Sequence, residues 1–291
     1  MRVLARLLAQ GSSLTVAPPL STDDTSTLTV VVGGGRGSVL RGREPLGGVW
    51  IPLHGRLQCG TGNGETALCT GEIRVSEAEP NLHASGRGNA LWVAVLGTRT
   101  AWRSALGAFG EPPVADPPLL PALYVADRAL RRDAAQLARA VRDGQEEVAI
   151  EGLLDRIIEL QRALDPLIAR CPGRTYAQRR QVFLRLQRVR NYLAANCHLE
   201  LDNDALARMA NYSPWHFIRA FRAAYRQTPH ACLVEQRLSR ARRLLHTSPL
   251  AIAEIALASG FENRCAFSRL FRRHFGTTAG AMRRNDQLLQ A

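Results

Sequence analysis

The sequence predicts an α+β chain whose first part is β-rich and whose second part is helical to its end. Three observations carry this. Of the 24 glycines, 18 fall within residues 1–121, where they punctuate short apolar runs. Short strands with turn signals about every ten residues are the pattern of a sandwich or jelly-roll barrel. Beyond that point apolar residues recur every three to four positions, the period of one helix face. Near the C-terminus a helix-turn-helix pattern occurs twice, in register.

The chain has 291 residues, enough for two domains with cores of their own. Met1–Leu8 begins basic, but Arg6 interrupts its apolar stretch. That argues against a secretory signal and for an N-terminal helical turn packed on its own domain. No apolar run reaches the roughly 18 residues that a bilayer span requires. In Gly48–Gly55, Val49, Ile51 and Leu53 alternate with Trp50, Pro52 and His54, and Leu91–Leu96 alternates similarly. His54 and His83 are the only histidines of this region.

Glu111–Pro121 holds five prolines and reads as an extended connector. After it, Leu130, Ala134, Leu137 and Val141 mark a helix that ends near Gly144, a residue suited to a C-cap. In the next helix Ile150, Leu153, Ile157, Leu160, Leu164 and Leu167 step by 3, 4, 3, 4 and 3, a coiled-coil seam. Pro166 forces a kink or a restart there, with Asp165 as cap. Leu154, Ile158 and Ile168 make the stripe wider than one partner helix needs. The hairpin near 128–168 therefore either joins two subunits in a homodimer or packs wholly within its own chain. The expected domains are 1–121, a hairpin linker at 122–172, and an all-helical domain at 176–291.

That last domain opens with a helix from about Tyr176 to Ala195, with Val182, Leu186, Val189 and Leu193 facing inward. Asp204–Ala210 is a short helix rich in alanine, and Asn211 tolerates a left-handed turn. Ser213 and Pro214 are an N-cap and a first helical residue. Phe217, Phe221 and Tyr225 then form one apolar stripe, off which Trp215, Ile218, Arg219 and Arg222 fall. Ala207, Ala210, Asn211 and Tyr212 recur 49 positions later as Ala256, Ser259, Gly260 and Phe261. Phe217, Arg219, Phe221, Arg222, Tyr225 and Thr228 recur 50 positions later as Phe267, Arg269, Phe271, Arg272, Phe275 and Thr278. The two units lie at about 204–225 and 252–275. Between them a helix from roughly His230 to His246 keeps Val234, Leu238, Ala241 and Leu245 on one face. It spans roughly 24 Å, which with about 10 Å of flanking helix approaches the roughly 34 Å of one DNA turn.

Charge follows the same division. Residues 1–170 hold 18 arginines and 18 acidic residues, whereas residues 171–291 hold 20 arginines and seven acidic residues, the entire net charge of +13. Arginines interleaved with a helical core make a folded basic surface, which attracts phosphate backbones through counterion release. The six cysteines show neither C-x-x-C pairing nor a zinc spacing, so reduced thiols are expected. Cys265, at the start of the second recognition helix, is either a redox-sensitive thiol or a small helix residue.

With GFENRCAFSRLFRRHFG (260–276) as its most specific part, the chain from about Leu186 to Arg284 resembles the DNA-binding domain of the AraC/XylS family of bacterial transcription regulators. It departs from that pattern at Ala279 and Met282, where the family has proline and then an aromatic. The resemblance implies a sequence-specific regulator that reads two successive major grooves. Trp215, Ile218 and Arg219 would face DNA with His216 beside them, and Arg264, Cys265, Ser268 and Arg269 would correspond in the second unit. Arg219 could fork onto guanine O6 and N7, and Trp215 and Ile218 could press on thymine methyls. Arg222, Arg226, Arg272 and Arg273 suit phosphates. For Arg219 and Arg269 the alternative is a bond to an internal carboxylate.

By the same resemblance residues 1–121 are a cupin-like sensing domain for a small-molecule effector. A metal cupin presents two histidines one residue apart and a carboxylate soon after; His54 and His83 lie 29 residues apart. No catalytic residue, metal or cofactor is therefore expected. Trp50, His54, His83 and Trp92 are candidates to line an effector pocket, against plain core or strand roles. The expected partners are double-stranded DNA, RNA polymerase, an effector and a second copy of the chain, with no membrane and a cytoplasmic, nucleoid-associated location. The alternative function is an effector-independent regulator controlled by abundance.

Overall fold

The alternating run Gly48–Gly55 lies inside a strand far longer than itself. The computed structural model describes residues 2–17, 26–61, 64–107 and 118–290. In it β5 runs Leu46–Thr61 and β8 runs His83–Gly97, paired antiparallel from Gly47 opposite Gly97 to Gly60 opposite His83. The register slips between Pro52 and Arg56, around Gly55 at φ +73°. A Cβ on Gly55 would stand 3.0 Å from the Ala90 Cα, so two backbones pass there with no room for a side chain.

This irregularity separates two sets of partners. The first part of β5 pairs with β7 (Glu72–Glu79), and its last part pairs with β6 (Gly64–Cys69). Likewise β8 pairs first with β4 (Val39–Gly42) and later with β3 (Thr27–Gly34). The parallel strands β1 (Arg2–Leu8) and β2 (Ser13–Val16) join β3 and β4, and β9 (Ala122–Val125) joins β7. The path β1-β3-β8-β5-β7-β9 is open, without pairing between β1 and β9 among the described residues. The expected jelly-roll barrel is thereby corrected to an open sheet with two parallel ladders. Glycine spacing and alternation mark strands and turns, whereas closure depends on the stagger between first and last strands, which no local pattern encodes. Residues 2–8 are likewise a strand and not a helical turn, because a partner 25 residues on completes their hydrogen bonds.

Both faces of the sheet are buried. Val49, Ile51, Val93 and Val95 share one core with Trp102 of α1 (Arg99–Gly107), Leu137 of α2 (Arg128–Asp143) and Ile150 of α3 (Glu146–Arg162). Trp50, Leu57, Trp92 and Leu96 make the other. The Trp102 Nε1–H donates to Gly47 O at 3.0 Å, anchoring a helix that strand-like patterning had concealed. Asp127 caps α2 by accepting from Leu130 N at 2.8 Å, and Gly144 ends it at φ +69°. α4 (Asp165–Ala169) restarts the chain at Pro166. Ile150, Leu153, Leu154 and Ile157 are fully buried in the sheet's core. The first three positions of the seam considered for a subunit interface are thus filled from within the chain, while Leu160 and Leu167 are only partly buried. Residues 1–169 form one compact unit and 170–291 another, so the hairpin expected as a separate linker belongs to the sheet unit. Only 118–121 of the Glu111–Pro121 connector lie within the described residues.

The second unit is helical: α5 (Tyr176–Asn196), α6 (Asn203–Met209), α7 (Pro214–Tyr225), α8 (Pro229–Thr247), α9 (Ile252–Ala258), α10 (Arg264–Phe275) and α11 (Ala279–Gln290). Thr175 and Gln178 form a capping box that starts α5, whose Phe183, Leu186, Val189 and Leu193 are fully buried, while Val182 lies at the margin. Thr228 caps α8 through Ala231 N at 3.1 Å, and Thr278 caps α11 through Ala281 N at 3.2 Å. The duplicated threonine thus closes both units. Ala279 is buried where the family has proline, and Met282 packs against the second core. Among the described residues no helix is long and apolar enough to cross a membrane.

Candidate nucleic-acid interface

Each helix-turn-helix turns on a residue in left-handed conformation, Asn211 at φ +57° and Gly260 at φ +90°. The recognition helices start differently. Asn263 caps α10 through Cys265 N at 2.8 Å and Ala266 N at 3.1 Å. Ser213 has N-cap backbone geometry but makes no side-chain cap, because its hydroxyl bonds His216 Nδ1 at 2.8 Å. Pro214, which has no N–H to satisfy, starts the helix in its place.

Behind each recognition helix lies an aromatic ladder. Phe217 and Phe221 are 5.7 Å apart, and Phe221 and Tyr225 4.6 Å. Phe267–Phe271 and Phe271–Phe275 repeat this at 5.4 and 4.6 Å. Fully buried phenylalanines lock the rotation of each helix about its axis, which decides what the opposite side shows. Tyr225 Oη donates to Gln187 Oε1 at 2.7 Å, and the Arg190 guanidinium covers its ring at 4.9 Å. Burial raises the Tyr225 phenol and the Cys232 and Cys197 thiols, and pushes Cys171 up to about 11.

The opposite faces are solvent-exposed. Trp215, His216, Ile218, Arg219 and Arg222 on α7, and Arg264, Cys265, Ser268, Arg269, Arg272 and Arg273 on α10, all lie at the surface. Trp215 is 62 % exposed, a fraction that packing within this domain does not account for. Its ring carries the Arg219 guanidinium at 4.9 Å and meets His216 edge-on at 5.0 Å. Neither α7 nor α10 contains an acidic residue. Among the described residues no carboxylate pairs with Arg219 or Arg269. The aromatic and guanidinium groups can therefore contact a partner without breaking an internal bond.

The effector-pocket candidates are scattered. Trp50 and Trp92 are 1 % and 0 % exposed, and their indole N–H groups donate to Ser76 Oγ at 3.2 Å and Ser38 Oγ at 3.4 Å. A Cβ on Gly33 would stand 2.1 Å from the Trp92 ring, so the indole lies flat on bare backbone. His54 is exposed, and half-buried His83 bonds Glu65 at 3.2 Å. The indoles fill a core, and the histidines do not converge with them.

Sequence reasoning did not single out Arg237 and Arg240 of α8. Arg237 Nε and a terminal nitrogen donate to Cys197 O at 2.8 Å and Leu199 O at 3.0 Å. Arg240 Nε donates to Ala258 O at 2.9 Å. Their i, i+3 spacing put both on one helix face, but within so basic a segment they looked like surface charge.

Two outward cationic helices, each backed by an aromatic ladder and led in by a short helix and tight turn, define a tandem helix-turn-helix DNA-binding protein. A helix-turn-helix domain family profile matches residues 206–285. Over 87 residues the chain is 47 % identical to the HTH-type transcriptional regulator GlxA of Rhizobium meliloti, covering 30 % of this chain and 26 % of that protein. Over 85 residues it is 34 % identical to the probable transcription factor PqrA of Proteus vulgaris, covering 29 % of this chain and 70 % of that one. A crystal structure of a Chromobacterium violaceum transcriptional regulator with an AraC-type DNA-binding domain is 30 % identical, with a TM-score of 0.34 over 35 % of this chain and 91 % of that one. The chain belongs to the AraC/XylS family of transcription regulators.

Proposed function

We propose that the protein regulates transcription by binding double-stranded DNA, with α7 and α10 of one chain entering two successive major grooves. The carrying observation is the duplicated, exposed and carboxylate-free face of the two helices. Arg219 reads a guanine, Trp215 and Ile218 lie against thymine methyls or sugars, and His216 lines the same groove. Arg264, Cys265, Ser268 and Arg269 face the second groove, and Arg222, Arg226, Arg272 and Arg273 hold phosphates. Helix α8, with 19 residues, is about 28 Å long and separates the two units. Bound DNA then admits or blocks RNA polymerase at a neighbouring promoter.

The test is duplex selection from a random pool with the full chain, followed by affinity against salt. The four phosphate-holding arginines give a log–log slope of about −3.6 or steeper, at roughly −0.9 per contact. A nearly flat salt dependence, or no enriched sequence, contradicts the proposal.

For the first unit, Trp50 and Trp92 filling the interior favour control by abundance over a small molecule bound between the sheet's faces. A thermal-shift screen separates the two, since a ligand of the native state raises Tm by mass action. Burial of Ile150, Leu153 and Ile157 of α3 within the chain similarly favours a monomer carrying both readers over a dimer through the hairpin. Light scattering of the free protein decides it.

A further inference from the structure

A helix joined to its neighbours only through its ends is a poor ruler, because the connecting φ and ψ angles let each neighbour swing. α8 connects to the first helix-turn-helix through Thr228 and to the second through Ser248–Ala251, and its Leu238, Ala241 and Leu245 share a core with Ile255, Phe267 and Phe271 of the second. The structure supplies a further attachment. Arg237 ties α8 to the carbonyl of Cys197, which caps α5, and to that of Leu199 in the turn beyond it, and Arg240 ties it to Ala258 O at the end of α9. Carbonyls at a helix C-terminus lack intrahelical partners and carry partial negative charge, so a guanidinium satisfies both needs. The planar fork of Arg237 reaches two carbonyls and so constrains direction as well as distance.

Gly260 completes the junction. A Cβ there would stand 2.8 Å from both Cys197 O and Arg237 Nε, and 3.0 Å from the His198 Cα. The turn of the second helix-turn-helix thus rests directly on the end of α5, the helix that precedes the first helix-turn-helix. Asn211, at the same place in the first turn, shows that the left-handed conformation alone does not demand glycine. The close approach does.

We infer that Arg237 and Arg240, closing on α5, α9 and Gly260, are positioning residues that set the distance and angle between α7 and α10, and hence the half-site spacing the protein accepts. This rests on the two-groove reading above. With the junction closed, the units move as one body; with it open, each reads its own groove and the pair tolerates changes of phase.

The test uses a duplex selected by the full chain from a random pool, and the same duplex with one base pair inserted between its half-sites. The insertion displaces one half-site by about 3.4 Å and turns it by about 34°. For the unaltered protein an affinity loss of tenfold or more is expected. For Arg237→Gln/Arg240→Gln the loss should shrink to about threefold or less, with affinity for a single half-site unchanged. Arg240→Lys, whose ammonium can still donate to Ala258 O, should restore part of the spacing penalty. If the double variant also loses single half-site affinity, Arg240→Gln alone, which removes one bond, carries the comparison. An equal insertion penalty in variant and unaltered protein overturns the inference and leaves the function standing. Indifference of the unaltered protein to the insertion overturns the two-groove reading itself.

Discussion

Replacing Arg226 by glycine should stabilise the protein and weaken its grip on DNA. Arg226 ends α7 at φ +60° and Gly276 ends α10 at φ +72°, each donating its N–H to the carbonyl four residues back at 2.9 Å. A side chain in the left-handed region costs about 1–2 kcal/mol. Glycine gives back about 0.5–1 kcal/mol through the greater freedom of the unfolded chain. The balance is about 0.5–1 kcal/mol in favour of Arg226→Gly. For a unit of 122 residues, 170–291, an unfolding entropy near 2.1 cal/mol/K per residue converts this to a Tm rise of roughly 2–4 °C. Losing one phosphate contact should flatten the log–log salt slope by about 0.9. Calorimetry reads the first number and anisotropy titrations from low to high salt read the second. An unchanged or lower Tm would refute the strain argument, and an unchanged slope would remove Arg226 from the phosphate contacts.

Arg219→Ala should cost about 1–3 kcal/mol on the selected duplex and relax discrimination at one base pair; a loss uniform across sequences would make Arg219 a phosphate contact instead. Gly33→Ala drives a Cβ into the Trp92 ring and should destabilise the sheet unit by about 1–3 kcal/mol without changing DNA affinity, measured by denaturant melts and titration together. In the helical unit, folded Cys171 keeps its proton to about pH 11, above its ordinary value of 9.0. The folded state then binds more protons than the unfolded state between those values, so stability is complete below pH 9 and falls as pH rises through that window. Cys171→Ala should flatten the decline, and an unaltered slope in pH-dependent melts would count against the burial argument.

Much of the helical unit was legible in its sequence because its signals are local. Pro214 and Thr228-Pro229 mark helix starts within one turn, and aromatic residues four apart name the buried face. The outward residues follow by elimination, since a helix that buries Phe217, Phe221 and Tyr225 must expose Trp215, Ile218, Arg219 and Arg222. The sheet unit was less legible because its determinants are remote. Val3 and Leu8 were read as part of a helical turn; Thr27–Gly33, in register beside them, makes them a strand. Trp50 and Trp92 were candidates for a pocket against a plain core role, and Gly33, Ser38 and Ser76, brought in from other strands, decide for core. The seam of α3 is periodic whether its partner is a second subunit or the chain's own sheet, so no count of leucines could separate those readings.

The same reasoning bounds what the basic charge does. Net charge alone would invite a phosphate contact for nearly every unpaired arginine of residues 171–291. Yet Arg237 and Arg240 hold helix ends, Arg190 lies over the Tyr225 ring, and Arg242 covers Phe275 at 5.3 Å. What remains on the two recognition helices and the residue closing α7 is Arg219, Arg222, Arg226, Arg264, Arg269, Arg272 and Arg273. The four of these assigned to phosphates, Arg222, Arg226, Arg272 and Arg273, place the salt slope near −3.6 at roughly 0.9 each, and all seven together would bring it to about −6. A slope approaching −12, the figure that the full charge of +13 would suggest, would mean that the bracing arginines also reach DNA. The division between arginines that hold the reader together and arginines that touch the duplex would then be wrong.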